Sequence, residues 1–95
     1  MLKVKDKYDY RRELVEALRS GKYKQVSGFT SICDRYCALG VFALINNITI
    51  NSIVYDISLY EKLGMNFDQI NYIINMNDRL KLNFNQIADW IERLE

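Results

Sequence analysis

The chain has 95 residues, of which 49% are hydrophobic, 13% are aromatic and 26% are charged. A chain of this length and composition folds around one hydrophobic core, so we expect a single domain over residues 1–95 and exclude a disordered chain. It contains no His, which removes the commonest general base and the commonest transition-metal ligand. We see no apolar run long enough to span a membrane and no signal peptide, so we expect a cytoplasmic protein with reduced thiols.

The net charge of +1 is unevenly distributed along the chain. Residues 1–25 carry eight Lys and Arg against four Asp and Glu, whereas the other seventy residues carry five against eight. A basic segment on an acidic body suits an anionic ligand or self-association of the chain. We expect a homo-oligomer, because a domain this small is marginally stable alone.

Apolar spacing predicts a first helix over residues 8–20. Tyr10, Leu14 and Leu18 recur at the i, i+4, i+8 positions of one helical face. Gly21 follows at the position where a residue in the left-handed conformation would end the helix.

Residues 22–33 predict a β-hairpin, because two short β-prone runs flank the small residues Ser27 and Gly28. Asp34 is the expected N-cap of a central helix, which is apolar on nearly all sides over residues 36–45. This helix should be the most buried one.

The segment before the last two helices is less regular. Residues 48–55 mix β-branched and polar side chains, a pattern equally typical of a strand and of a loop. Asp56 or Ser58 then caps a short helix that ends at Gly64.

Two stretches near the end of the chain have nearly the same sequence, MNFDQINYII at 65–74 and LNFNQIADWI at 82–91. In each stretch an Asn, Asn66 or Asn83, lies three residues before a Gln. This is the spacing of a capping box, in which the two side chains bond each other's backbone N–H at a helix start.

The repeat predicts helices over about 67–76 and 84–94, separated by a turn at Asn77-Asp78. The expected fold is mainly α, with a minor β component: a compact bundle of about five short helices with one small β-hairpin.

No arrangement of residues in the sequence supports catalysis or a metal site. Cys33 and Cys37 are four residues apart, but without His or a second Cys pair they do not complete a zinc site within one chain. Two chains together could supply four thiolates, but nothing else in the sequence indicates this. We expect them to be buried as small hydrophobic residues. Asp89 and Glu92 are expected on the solvent-exposed face of the last helix. We therefore expect no enzyme activity, no metal ion and no cofactor.

One group of residues combines basic and aromatic side chains on either side of the predicted hairpin. If the hairpin folds back, the residues after the first helix approach the start of the central helix. Basic groups, aromatic rings and the free N–H groups of a helix start can together hold a phosphate and a base. The alternative is that the rings pack inward and the lysines are merely solvated. The predicted ligand-binding residues are Arg19, Lys22, Tyr23, Lys24, Gln25, Arg35 and Tyr36.

Five segments occur in a recognisable order: LRSGKYKQ at 18–25, RYCALGV at 35–41, LGM at 63–65, ND at 77–78 and NFNQIADWIE at 83–92. This order resembles a family of small phage-encoded accessory proteins with the pattern L-R-S-G-x-Y-x-Q, Y-C-x-L-G-V, N-D and I-A-D-x-I-E. The chain departs from the family over residues 42–62, which are shorter and richer in Ile and Asn. The family has no established activity, and the resemblance implies a small protein that opposes host antiviral defence in an infected cell.

Three functions follow as hypotheses. The first is an oligomeric protein without enzyme activity that sequesters a nucleotide-derived immune signal, and we favour it because the basic and aromatic group is distinctive. The second is a protein that binds and inhibits a host defence enzyme through exposed aromatic side chains. Its candidate contact residues are Tyr8, Tyr10, Tyr55, Tyr60 and Trp90. The third is a small DNA-binding regulator, which we disfavour because the last helix is acidic.

Overall fold

The computed structural model describes residues 4–28, 31–32, 35–48 and 57–94, with only the backbone of 31–32 described. Within these residues the chain forms five α-helices and three short strands. In chain order they are α1 (Lys7–Arg19), β1 (Lys24–Gln25), β2 (Ser31–Ile32), β3 (Arg35–Tyr36), α2 (Ala38–Ile45), α3 (Ile57–Leu63), α4 (Phe67–Asp78) and α5 (Phe84–Glu92). The predicted fold class, a mainly α bundle with a minor β element, is confirmed.

Side chains cap the starts of α1, α4 and α5. The Asn66 side-chain oxygen accepts the N–H of Gln69, and the Gln69 side-chain oxygen accepts the N–H of Asn66, both at 2.9 Å. Asn83 makes the same reciprocal bonds at the start of α5, and Asp6 does so at the start of α1. The two capping boxes predicted from the repeated sequence are therefore confirmed.

Each of the five helices contributes apolar side chains to one core. The α2 helix is the most buried, as predicted, with residues 38–43 all buried. The α1 helix packs mainly against α5 and also against α3 and α2. The largest fully buried apolar side chains are Phe42, Leu14, Leu39, Leu59, Leu63, Ile70, Ile73, Met76, Ile87, Ile91 and Val41.

The three strands form one small sheet in the order β1-β3-β2. Strand β1 runs parallel to β3, and β2 pairs antiparallel with β3. The hairpin is thus made by β2 and β3, and not within residues 22–33 as expected. The difference arises because β1 bonds β3 directly, where the N–H of Val26 donates to the carbonyl of Tyr36 at 3.0 Å.

The start of α2 differs from the prediction. The expected cap, Asp34, lies outside the described residues, and the N-cap is Cys37, whose sulfur accepts the N–H of Gly40 at 3.3 Å. The helix begins later than expected because residues 35–36 belong to strand β3.

The expected turn at Asn77-Asp78 is wrong, because both residues are helical and end α4. The chain reverses after them, where Lys81 has a positive φ of 53°.

The predicted strand or loop at 48–55 and the cap Asp56 lie outside the described residues apart from Ile48. None of the helices among the described residues is long and apolar enough to cross a membrane.

Gly21 and Gly64 both adopt the left-handed conformation that ends a helix, with φ of 76° and 60°. A Cβ on Gly64 would lie 2.5 Å from Cδ and 2.9 Å from Cβ of Lys7, whereas a Cβ on Gly21 would meet no atom within 4 Å. We expect Gly21→Ala to lower the free energy of unfolding by about 1 kcal/mol through backbone strain alone. Gly64→Ala should lower it by about 2–3 kcal/mol, since α1 must also shift.

Urea unfolding followed by circular dichroism measures both losses. Gly21→Ala is the matched control, because it imposes the same backbone conformation without the collision. Equal losses in the two variants would contradict the close approach of α1 to Gly64.

Candidate ligand-binding site

The pairing of β1 with β3 brings together most of the residues predicted to bind a ligand. Lys24 lies opposite Arg35 in the register, and Gln25 lies opposite Tyr36. Neighbouring strands are about 4.8 Å apart, so the two cationic residues start from adjacent backbone positions. The residues after α1 therefore do approach the start of α2.

Lys24 and Arg35 are both exposed, and among the described residues neither forms an ion pair with a carboxylate. Successive side chains of a strand point to opposite sides of the sheet, so Tyr36 lies on the other side from Arg35. On that other side the rings of Tyr23 and Tyr36 meet edge to face with their centroids 6.2 Å apart, and both are half-buried and pack against the core. We call these four residues the basic-aromatic cluster.

Gln25 has a structural role in this arrangement. Its side-chain Nε2 donates to Oδ1 of Asn77 at 2.9 Å and to the carbonyl of Leu82 at 2.7 Å. Both bonds hold β1 against the end of α4 and the turn that follows. The amide nitrogen of Gln25 is therefore already committed to protein partners.

Asn77 is the centre of this polar contact, and it is 1% exposed. Its Oδ1 accepts hydrogen bonds from Gln25 and, at 3.3 Å, from the N–H of Ala38. Its Nδ2 donates to the carbonyl of Val26 at 2.7 Å and to Oδ1 of Asp78 at 2.8 Å. The side-chain amide thus makes four hydrogen bonds, which is its full capacity. We call these bonds the Asn77 network.

The residues after β1 are held by the same end of α4. The Ser27 hydroxyl donates to the carbonyl of Asn77 at 3.0 Å, and the N–H of Gly28 donates to Oδ1 of Asp78 at 2.8 Å. The sequence pattern contained one signal for this role. Asn77 lies seven residues after Ile70 and four after Ile73, on the apolar face of α4.

The start of α2 does not provide a free anion site, contrary to the expectation. The N–H of Ala38 is bonded to Asn77, and the N–H of Gly40 is bonded to the sulfur of Cys37. Burial raises the pKa of the Cys37 thiol above its usual value, so this group is neutral at physiological pH. Cys37 is buried as predicted, and Cys33 lies outside the described residues.

Arg19 and Lys22 take different positions from the other predicted residues. Arg19 donates to Glu92 at 2.6 Å and to Asp89 at 2.5 Å, both on α5. These hydrogen bonds raise the pKa of Arg19, with the bond to Glu92 contributing most. Lys22 is exposed and lines a shallow depression together with Tyr23. Arg19 is therefore committed to the contact between α1 and α5.

The aromatic residues considered for a protein contact are mostly packed against the core. Tyr10, Tyr60 and Trp90 are partly buried there, and Tyr55 lies outside the described residues. Tyr8 is 54% exposed.

Comparisons with protein-family models, with curated proteins and with solved structures find no match to this chain. Among the described residues no group of three or more His, Cys, Asp and Glu side chains is placed to hold a metal ion. Of the predicted ligand-binding residues, the structure brings Lys24 and Arg35 together on adjacent strands, and the Asn77 network joins β1 and the start of α2 to α4.

Proposed function

We propose that this chain is a binding protein without enzyme activity that sequesters a nucleotide-derived signal of host antiviral defence. The observation that supports the proposal is the pairing of Lys24 with Arg35 on adjacent strands, with the rings of Tyr23 and Tyr36 in contact on the other side of the sheet. Two neighbouring exposed cations that form no ion pair with a carboxylate of the described residues suit a ligand with more than one phosphate oxygen.

The roles of the four residues follow from their chemistry. Arg35 presents a planar guanidinium that can donate two parallel hydrogen bonds to a phosphate, and Lys24 adds a compact charge. A tyrosine ring offers a π face or edge to a nucleobase, a contact that tolerates different bases. Because the cations are exposed, the affinity of such a site falls as the salt concentration rises.

The role in host defence is supported by the resemblance to small phage-encoded accessory proteins. Sequestration requires tight binding and no chemical step, and the sequence contains no His to act as a general base. A small chain made in large amounts could then lower the free concentration of a signal by mass action.

Native mass spectrometry of the protein purified from cells that produce defence nucleotides tests the proposal. We expect a bound mass of a few hundred daltons, about that of a nucleotide, released on denaturation. The double variant Lys24→Gln/Arg35→Gln should lose this bound mass, since both phosphate contacts are removed.

The matched control is Lys81→Asn/Arg93→Gln, which removes two exposed positive charges outside the basic-aromatic cluster. It should retain the ligand. A wild-type protein that carries no small molecule, or a Lys24→Gln/Arg35→Gln variant that still carries it, would contradict the proposal.

A further inference from the structure

A groove of about 580 Å³ lies between α1 and α5 on a surface that the proposed function does not use. Its floor is apolar and is formed by Val15, Ile91 and Leu94. Its rim on the α1 side is polar and includes Tyr8, Arg12, Glu16, Arg19 and Ser20. An apolar floor with a polar rim is the arrangement found at protein–protein contacts.

The rim contains four residues at intervals of four, Tyr8, Arg12, Glu16 and Ser20. Residues four apart lie on one row along a helix, so these four form a continuous line on α1. All four are exposed: Tyr8 is 54% accessible and the Arg12 side chain is 62% accessible. We call this line the α1 row.

We propose that the α1 row binds the α1 row of a second copy of this chain, with the two helices antiparallel across a twofold axis. The centre of the contact lies level with residue 14. Arg12 of each copy then faces Glu16 of the other, and Tyr8 faces Ser20. A twofold contact uses the same patch on both copies, so the patch must be complementary to itself.

The charges of the α1 row select this partner and this orientation. The antiparallel arrangement creates two identical pairs between Arg12 and Glu16, related by the twofold axis. A parallel arrangement in register would set Arg12 against Arg12 and Glu16 against Glu16, and like charges face to face disfavour association. Of these two arrangements, only the antiparallel one therefore sets opposite charges of the two α1 rows against each other.

Tyr8 supplies the aromatic contact in the same arrangement. Within its own chain, the Tyr8 ring makes cation–π contacts with Lys7, whose Nζ lies 5.1 Å from the ring centroid, and with Arg11, whose guanidinium carbon lies 5.8 Å from it. In the dimer the exposed part of this ring reaches the segment Arg19–Ser20 of the other copy. Tyrosine is enriched at protein–protein interfaces because its ring is apolar and its hydroxyl is polar.

Sedimentation velocity over a range of protein concentrations tests the proposal. We expect the wild-type chain to form dimers. Arg12→Glu and Glu16→Arg should each weaken dimerisation about tenfold or more, because each variant turns both ion pairs into like-charge pairs. The double variant Arg12→Glu/Glu16→Arg should dimerise again, since both pairs are restored with their signs exchanged.

Mixing the two single variants gives the decisive result. Arg12→Glu carries two acidic residues in the row and Glu16→Arg carries two basic residues, so the antiparallel heterodimer has two attractive pairs. We expect an equimolar mixture to dimerise although each variant alone does not. Thermal melts followed by circular dichroism verify that both variants fold, because Arg12 also pairs with Asp9 at 2.8 Å within its own chain. A monomeric wild-type chain, or a mixture that stays monomeric, would overturn the proposal.

Discussion

Replacement of Asn77 by Leu is expected to lower the free energy of unfolding by about 3–5 kcal/mol. Leucine has the same branching and the same number of side-chain heavy atoms as asparagine, so no cavity is created. The carbonyl of Val26 and the N–H of Ala38 would, however, lose the side-chain partners that they have now. Leaving buried polar groups unsatisfied costs more than an average hydrogen bond contributes. Urea unfolding followed by circular dichroism measures the loss.

The matched control is Asn75→Leu, two residues earlier on α4 and half-buried. The side chain of Asn75 takes no part in the Asn77 network, so we expect a change within about 0.5 kcal/mol. Equal effects at the two positions would mean that the network does not stabilise the fold.

The variant Asn77→Asp adds a pH dependence to the same prediction. The new carboxylate would be buried beside the Val26 carbonyl and Asp78, which raises its pKa in the folded state above the usual 3.9 or so. When folding raises the pKa of a carboxyl group, the folded protein loses stability as the pH rises from the unfolded-state pKa of that group to its folded-state pKa. The stability deficit relative to wild type should therefore be smaller at acidic pH than at neutral pH. A deficit that does not change with pH would contradict this.

Replacement of Arg11 by Met is expected to have the second largest effect, a loss of about 2–4 kcal/mol in the free energy of unfolding. Arg11 is 6% exposed. Its Nε donates to the carbonyl of Leu63 at 2.7 Å, and its Nη2 donates to the carbonyl of Gly64 at 2.9 Å. These carbonyls lie at the end of α3, where the helix dipole favours a positive charge. Methionine keeps most of the packing and removes both donors.

Arg11→Lys should recover only part of the loss, because an ammonium group does not reproduce the planar fork that reaches two carbonyls at once. The control is Arg79→Met, which removes an exposed positive charge after α4 and should change the free energy of unfolding by about 0–1 kcal/mol. Denaturant unfolding of the three variants checks the order. Equal losses for Arg11→Met and Arg79→Met would contradict the role of Arg11.

The starts of α4 and α5 were predictable because their signals are local. Asn66 and Asn83 bond residues three positions away, and this spacing can be read directly from the sequence. Gly21 was likewise recognisable from its place after the last apolar residue of α1. These features do not depend on how the rest of the chain folds.

The sheet and the Asn77 network were not predicted because they join distant residues. Each strand has only two residues, too few for a periodic pattern. The prediction that Asn77 forms a turn rested on the usual preference of Asn-Asp pairs for turns. Burial against β1 overrides that preference, since the amide finds four partners there.

The candidate site was only partly predictable for the same reason. The approach of Lys24 to Arg35 follows from the chain folding back after α1, as expected. The pairing of Arg19 with α5 depends on helix packing, and the engagement of Gln25 depends on the end of α4. Neither can be read from neighbouring residues.

Apart from the bond between Asn77 and the adjacent Asp78, the hydrogen bonds of the Asn77 network and its neighbours join positions between 39 and 57 residues apart in the sequence. Closing loops of this length costs chain entropy before any contact is gained. Strand β1 pairs with β3 over a separation of only eleven residues, but the bonds that attach β1 and the start of α2 to the helical bundle require α4 to have formed and docked. The basic-aromatic cluster is therefore fixed in position by the second half of the chain, although all of its own residues are synthesised in the first.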